Sequence, residues 1–312
     1  MVKTLTNWGI LTGLAIVLSG CNPQATREGE TALPRVVSTS TIIADFAEDV
    51  GGDRIEHTGI LQPGADPHVY EPVPEDSIAL EKADLIFYNG YNLEPGLIKL
   101  MKTAGSNAKQ VAVGEVVKPL DFEYQGQKQP DPHVWGDVKN AIAMVEVIRD
   151  SLIQLAPENK EILTQNAATE IEKLQRLDTW IQEQISTIPA ARRQLITTHD
   201  AFQYYANAYG LKVAGTLIGI STEEQPSAQT VQKLVEEVKA TKVPAIFAET
   251  TINPQLIKTV AEEAKIKLAD TQLYSDSIGA PGSEGDSYLK MMVSNTKAIV
   301  EALGGKVSDF PL

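Results

Sequence analysis

Past residue 35 the chain alternates short apolar runs with stretches in which apolar residues recur every three or four positions. This is the pattern of strands separated by amphipathic helices. In the first half, residues 36–39, 55–61, 84–88 and 110–113 predict strands, and 42–50, 74–82, 93–101 and 138–155 predict helices. Gly51 and Gly52 end the first helix. Pro74 opens the second, where a missing N–H costs nothing. The second half repeats the rhythm, with strands at 194–197, 212–217, 244–248 and 266–272 and helices at 201–209, 227–241, 254–265 and 286–303. Ser227 and Asn253 suit N-caps, and Gly210 and Gly304-Gly305 suit helix ends. Such alternation predicts an α/β chain of two (β/α)4 lobes with parallel sheets.

Between the halves, Leu163, Ala167, Leu174, Leu177, Ile181 and Ile185 keep helical spacing while Glu, Gln, Lys and Arg fill the other face. The segment 157–188 therefore reads as one linker helix, about 45 Å long at ~1.5 Å per residue. It joins an N-terminal lobe (35–156) to a C-terminal lobe (189–312). A packed helix permits less movement than a loop hinge.

The start of the chain follows a different pattern. Lys3 precedes an apolar stretch from Trp8 to Leu18 that is short for a bilayer span and fits a signal peptide over residues 1–20. It ends in Leu18-Ser19-Gly20-Cys21, similar to the lipobox of bacterial lipoproteins, in which the cysteine is lipidated and begins the mature chain. Cys21 is the only cysteine among 312 residues, which rules out an internal disulfide or a thiolate metal site built from several cysteines. Residues 21–34 are then a lipidated cysteine and a flexible tether, rich in Gly, Pro, Thr, Glu and Arg. The formal net charge of −14 makes nucleic acid a poor partner.

Candidate chemistry sits with the histidines. The chain has four. His68 lies in Pro-Gly-Ala-Asp-Pro-His (63–68), His133 in Asp-Pro-His-Val-Trp (131–135) and His199 in Thr-Thr-His-Asp-Ala-Phe (197–202). All three follow predicted strands at their carboxyl ends, the edge where open parallel sheets bind ligands. Proline stiffens each Asp-Pro-His loop, so the imidazole is delivered at a fixed angle. Three imidazoles at equivalent strand ends point to a metal. A fourth ligand should come from the second half: Asp276, in Leu-Tyr-Ser-Asp-Ser (273–277), or Glu249, in Ala-Ile-Phe-Ala-Glu (245–249). Glu249 could instead orient a histidine ring. His57 lies inside a strand and reads as structural, and Glu223 and Glu224 as solvated loop charges.

The lipobox, the two Asp-Pro-His segments, Ala-Asp-Leu-Ile-Phe-Tyr-Asn-Gly (83–90), Thr-Thr-His-Asp-Ala-Phe and Tyr-Ser-Asp (274–276) occur together and in order. In this the chain resembles the metal-binding receptors of bacterial ABC importers, the TroA/PsaA/ZnuA/MntC family, with a pattern nearest that of TroA. The resemblance spans essentially all of the chain after the leader. It implies an exported, membrane-anchored monomer that is not an enzyme. Such a receptor holds zinc or manganese between two lobes and passes it to an ABC permease and its ATPase. Matched residue by residue, the family's ligands fall on His68, His133, His199 and Asp276. Manganese members usually carry glutamate where this chain has His199, and zinc members usually carry a His-rich loop that it lacks. Three imidazoles and a carboxylate suit tetrahedral zinc, while a bidentate Asp276 would add the oxygen that manganese prefers. Two other readings are a secreted zinc hydrolase, since three histidines also build catalytic zinc sites, and a surface adhesin. No His-Glu-x-x-His pattern supports the first and no repeat supports the second.

Overall fold

The computed structural model describes residues 1–2, 32–124, 127–241 and 243–311. The leader from residue 3, Cys21 and the tether as far as residue 31 lie outside the described residues. Among the described residues no helix is long and apolar enough to cross a membrane.

Leu33–Leu312 forms one compact unit. In its first half, β1 (Arg35–Ser38), β2 (Glu56–Gly59), β3 (Leu85–Tyr88) and β4 (Lys109–Ala112) form a parallel sheet in the order β2-β1-β3-β4. The connecting helices are α1 (Thr41–Gly51), α2 (Pro74–Lys82) and α3 (Pro95–Met101). Alternate residues face opposite sides of a strand. Val36, Leu85 and Phe87 enter the main core, whereas Val37 and Ile86 enter a smaller cluster with Leu80, Leu97 and Met101 of α2 and α3. Burial on both faces is why these runs read as continuously apolar.

After β4 the expected direct passage to a helix is interrupted. An antiparallel hairpin, β5 (Asp121–Tyr124) and β6 (Gln127–Pro130), precedes α4 (Val138–Leu155). The hairpin is built mostly of polar residues, so no apolar run announced it. Asp137 caps α4 by accepting from Lys139 N at 2.9 Å.

A 3-10 turn then leads into α5 (Lys160–Ser186), whose 27 residues fall within the predicted linker. The second half contains β7 (Gln194–Thr197), α6 (Gln203–Tyr209), β8 (Lys212–Thr216), α7 (Ala228–Ala240), β9 (Ala245–Ile246), α8 (Gln255–Ala264), β10 (Lys267–Leu268) and α9 (Tyr288–Ala302). Gly210 closes α6 at φ 74°, a left-handed conformation that suits glycine. Ser227 caps α7 by accepting from Thr230 N at 3.1 Å.

β7 pairs with β8 and β9 with β10, all parallel, and Phe247 N donates to Ile196 O at 2.9 Å across β9 and β7. The strands thus lie in the order β8-β7-β9-β10, as in the first sheet, although β7–β8 and β9–β10 are separate two-stranded ladders joined by this bond. β9 and β10 are shorter than the apolar runs predicted. After Ala269 N bonds Ile246 O, the chain leaves the ladder and rejoins it only where Leu273 bridges Glu249.

α5 packs against α1 and α4 of the first half and α9 of the second. One contiguous apolar cluster runs from Val36 through Leu174 and Leu177 of α5 to Phe310. The two sheets therefore share a core across a helical spine.

Candidate metal centre

His68 and His133 are delivered by the same local device. In each Asp-Pro-His segment the aspartate Oδ1 accepts from the backbone N–H of the histidine two residues on, at 2.9 Å for Asp66 and His68 and 3.0 Å for Asp131 and His133. This is an Asx turn, stiffened by the proline between. At His133 the same oxygen also receives the ring Nδ1–H at 2.8 Å, which places the lone pair on Nε2. Asn89 Nδ2 donates to Pro132 O at 2.9 Å, and Tyr204 Oη donates to Asp131 O at 2.9 Å, so this loop is held from two sides.

His199 follows β7. Its backbone N donates to Glu249 Oε1 at 2.8 Å and its ring Nδ1 bonds Glu249 Oε2. Asp276 follows β10 between Ser275 and Ser277. Ser275 O accepts from Trp135 Nε1 at 3.0 Å, and Ser277 Oγ accepts from Gly64 N at 2.8 Å.

These four side chains converge. One ligand atom each from His68, His133, His199 and Asp276 lies within 4.8 Å of all the others. His68 Nε2 is 3.2 Å from His133 Nε2, His133 Nε2 is 3.4 Å from Asp276 Oδ1, and His199 Nε2 is 3.1 Å from Asp276 Oδ2. A tetrahedron of bonds near ~2.05 Å has edges of ~3.3 Å. These three spacings come close to that edge, while His68 Nε2 stands wider, at 3.9 Å from Asp276 Oδ2. All four residues are 0–3% exposed. His199 Nε2 and both Asp276 oxygens are buried with no aligned hydrogen-bond partner, an arrangement that a shared cation would satisfy.

The electrostatics match that geometry. Burial, which opposes charge, pushes His68 down to about 3. Burial acts in the same sense on His199, but the carboxylates of Glu249 and Asp276 overcome it and hold that imidazole well above its usual value. Burial alone would raise Asp276; the three imidazoles, His199 foremost, instead hold its carboxyl well below the usual range. The cluster is built to contain positive charge.

All four residues assigned by resemblance thus meet at one point. Glu249 touches His199 and stands behind it, as the ring-orienting alternative expects. His57 lies away from the cluster, with its ring between Glu48 Oε1 at 3.0 Å and Ser38 Oγ at 2.9 Å. Glu223 is exposed, but Glu224 is half-buried and, with His68, lines a cavity of about 210 Å³. Sequence reasoning missed Glu94. Fully buried, it accepts from Thr39 Oγ1 and Asn89 N, each at 2.7 Å, and burial pushes its carboxyl up to about 7. It braces Asn89, which in turn holds Pro132. The Asn-Gly turn at 89–90 was the available signal.

Residues 36–302 match the family described as ZnuA, zinc-uptake complex component A periplasmic. The chain is 34% identical over 310 residues to the manganese ABC transporter substrate-binding lipoprotein PsaA of Streptococcus pneumoniae, covering 97% of this chain and 99% of that one. It is 36% identical to the metal ABC transporter substrate-binding lipoprotein FimA of Streptococcus parasanguinis, with the same coverage. Among solved structures, the periplasmic zinc-binding protein TroA from Treponema pallidum is similar, with a TM-score of 0.82 and 33% identity over 87% of this chain and 99% of that one. The Fe(III)-bound YtgA of Chlamydia trachomatis is similar at a TM-score of 0.78 and 29% identity, over 88% and 99%. With this agreement over nearly the whole of its length, the chain belongs to the ZnuA/TroA/PsaA family of metal ABC transporter substrate-binding proteins.

Proposed function

We propose that the protein captures a divalent transition metal, zinc or manganese, on His68, His133, His199 and Asp276 and delivers it to an ABC permease driven by its ATPase. The observation that carries this reading is the set of four buried, cation-seeking side chains whose ligand atoms lie within 4.8 Å of one another. The metal is cargo, and the protein is not an enzyme. A hydrolytic zinc keeps an open position for water and substrate, and four ligands this deeply buried are suited to holding rather than reacting. Three nitrogens and one carboxylate oxygen fit zinc. Because Asp276 turns one oxygen toward His133 and the other toward His199, bidentate ligation would also serve manganese.

The protein acts outside the cytoplasm as a monomer, tethered by a lipid on Cys21. Two lobes, 35–156 and 189–312, flank the linker helix 157–188 and share the ion between them. The lobes' repeated sheet order supports this division. Titration with Zn2+ and Mn2+ in competition with a chelator tests the ligand set. His68→Ala and His199→Ala should each weaken binding by orders of magnitude while leaving the fold intact, and wild-type affinity in either would remove that residue from the set. Cys21→Ala should move the protein from the membrane fraction to the soluble one.

A further inference from the structure

His68 is held differently from its three companions. His133 is backed by Asp131, Asn89 and Tyr204, and His199 by Glu249, all through buried contacts. The loop carrying His68 is tied to the second half at two places. Gly64 N meets Ser277 Oγ, and Asp66 Oδ2 accepts from Thr222 Oγ1 at 2.7 Å across 156 positions of sequence. The other oxygen of Asp66 receives the His68 N–H. Thr222, Asp66 and His68 therefore form one relay.

Thr222 stands in the loop after β8. That loop roofs the 210 Å³ cavity with Ile220, Ser221 and Glu224, and His68 is the member of the metal cluster exposed to this space. On its other side the loop borders a second cavity, of about 350 Å³, also lined by Asp66 and Thr222. The base of the loop is fixed, since Leu217, Ile218 and Ile220 are buried and Thr198 O accepts from the N–H groups of Leu217 and Ile218. Its tip, Ser221 to Glu224, is only partly covered and borders both spaces, and the hydrogen bond from Thr222 ties this tip to Asp66.

We propose that Thr222 and Asp66 are positioning residues that latch His68 in its ligating place, and that release of this latch sets the rate at which the metal leaves. The inference rests on the ligand set proposed above. Displacing the loop after β8 breaks the bond to Asp66, frees the Asx turn beneath His68 and opens the cavity beside it, all in one movement. His68 is thus the ligand that lets go first, while His133, His199 and Asp276 stay in place.

The test uses full-length protein loaded with Zn2+ or Mn2+ and mixed rapidly with excess chelator. Metal loss is followed by the fluorescence of Trp135, whose ring meets that of His133 at 5.4 Å. Thr222→Val, nearly isosteric but without the hydroxyl, should speed metal loss about tenfold, as expected for losing a hydrogen bond to a carboxylate. Thr222→Ser, which keeps the hydroxyl, should stay near wild type, and Asp66→Ala should be faster still. Thr169→Val, on the exposed face of α5, serves as control. The melting temperature of metal-free Thr222→Val should match that of wild type. The latch is overturned by a wild-type release rate in Thr222→Val, by equally fast release in Thr222→Ser, or by a melting temperature that falls with the faster release. If His68→Ala binds as tightly as wild type, the ligand set itself fails. If His68→Ala loses metal while Thr222→Val does not, only the latch fails.

Discussion

Glu249→Gln probes how much of the metal affinity comes from a residue that lies outside the four-residue cluster and holds His199. Glu249 is fully buried and gives each oxygen to a different N–H of His199, one on the backbone at 2.8 Å and one on the ring. Glutamine fits the same space but offers one acceptor oxygen, so one of these two bonds is lost together with the negative charge. A hydrogen bond to a charged group contributes about 1.5–3 kcal/mol, and loss of a residue that orients a metal-ligating histidine weakens binding ~10–100-fold. The two scales agree, since that range corresponds to about 1.4–2.7 kcal/mol. A second effect follows from the charge. The carboxylates of Glu249 and Asp276 hold His199 well above its usual value, so metal binding to wild type near neutral pH must expel a proton from this ring. Glu249→Gln should therefore also release fewer protons per metal bound. Competition titration measures the affinity, and calorimetry in buffers of different ionisation enthalpy measures the protons. Unchanged affinity and proton release would refute the orienting role. A loss as deep as that of His199→Ala would make Glu249 a direct ligand.

Metal affinity should rise with pH through the neutral range, because His199, held well above its usual value, must give up its proton before it can ligate. Burial already keeps His68 neutral down to about 3, so fewer protons should leave than there are imidazoles; release of one proton per histidine would contradict this. Asp45 accepts from Tyr288 N at 2.8 Å, and burial raises its carboxyl to about 6. Its folded value lies above the unfolded ~3.9, so its stabilising protonated form is lost as pH rises through about 6. Asp45→Asn should accordingly melt higher than wild type at pH 7.5, with the gap gone at pH 4; a gap independent of pH would be the wrong result. Ser227→Ala removes the cap on α7 and should cost about 1 kcal/mol in chemical denaturation. No change there would mean that Thr230 N finds another acceptor.

The elements that could be read from the sequence share a physical cause. Apolar runs such as 36–39 and 84–88 are buried on both faces, and helices such as Val138–Leu155 carry a buried stripe, so both leave a mark in composition. In the hairpin of Asp121–Tyr124 and Gln127–Pro130, Asp121, Lys128 and Gln129 are exposed, and its mostly polar sequence left none. Likewise, the runs at 244–248 and 266–272 record burial but not where the ladder breaks, which depends on the neighbouring strand. In the site, repetition exposed His68 and His133, strand-end placement exposed His199, and family resemblance chose Asp276 over Glu249. Thr222 and Glu94 could not be read this way. Each acts through a partner, Asp66 and Asn89, and only folding brings Thr222 to its partner across 156 positions.

The helix Lys160–Ser186 has a consequence for how the carrier spends its binding energy. Wedged into a core common to both halves, it should restrict how far the halves part when no ion is bound. A carrier that must first close loses apparent affinity in proportion to the rarity of its closed form. Restricted opening would keep that loss small. The same stiffness would give empty and loaded carriers nearly the same outline, and a permease would then have to tell them apart by the few loops around the ion.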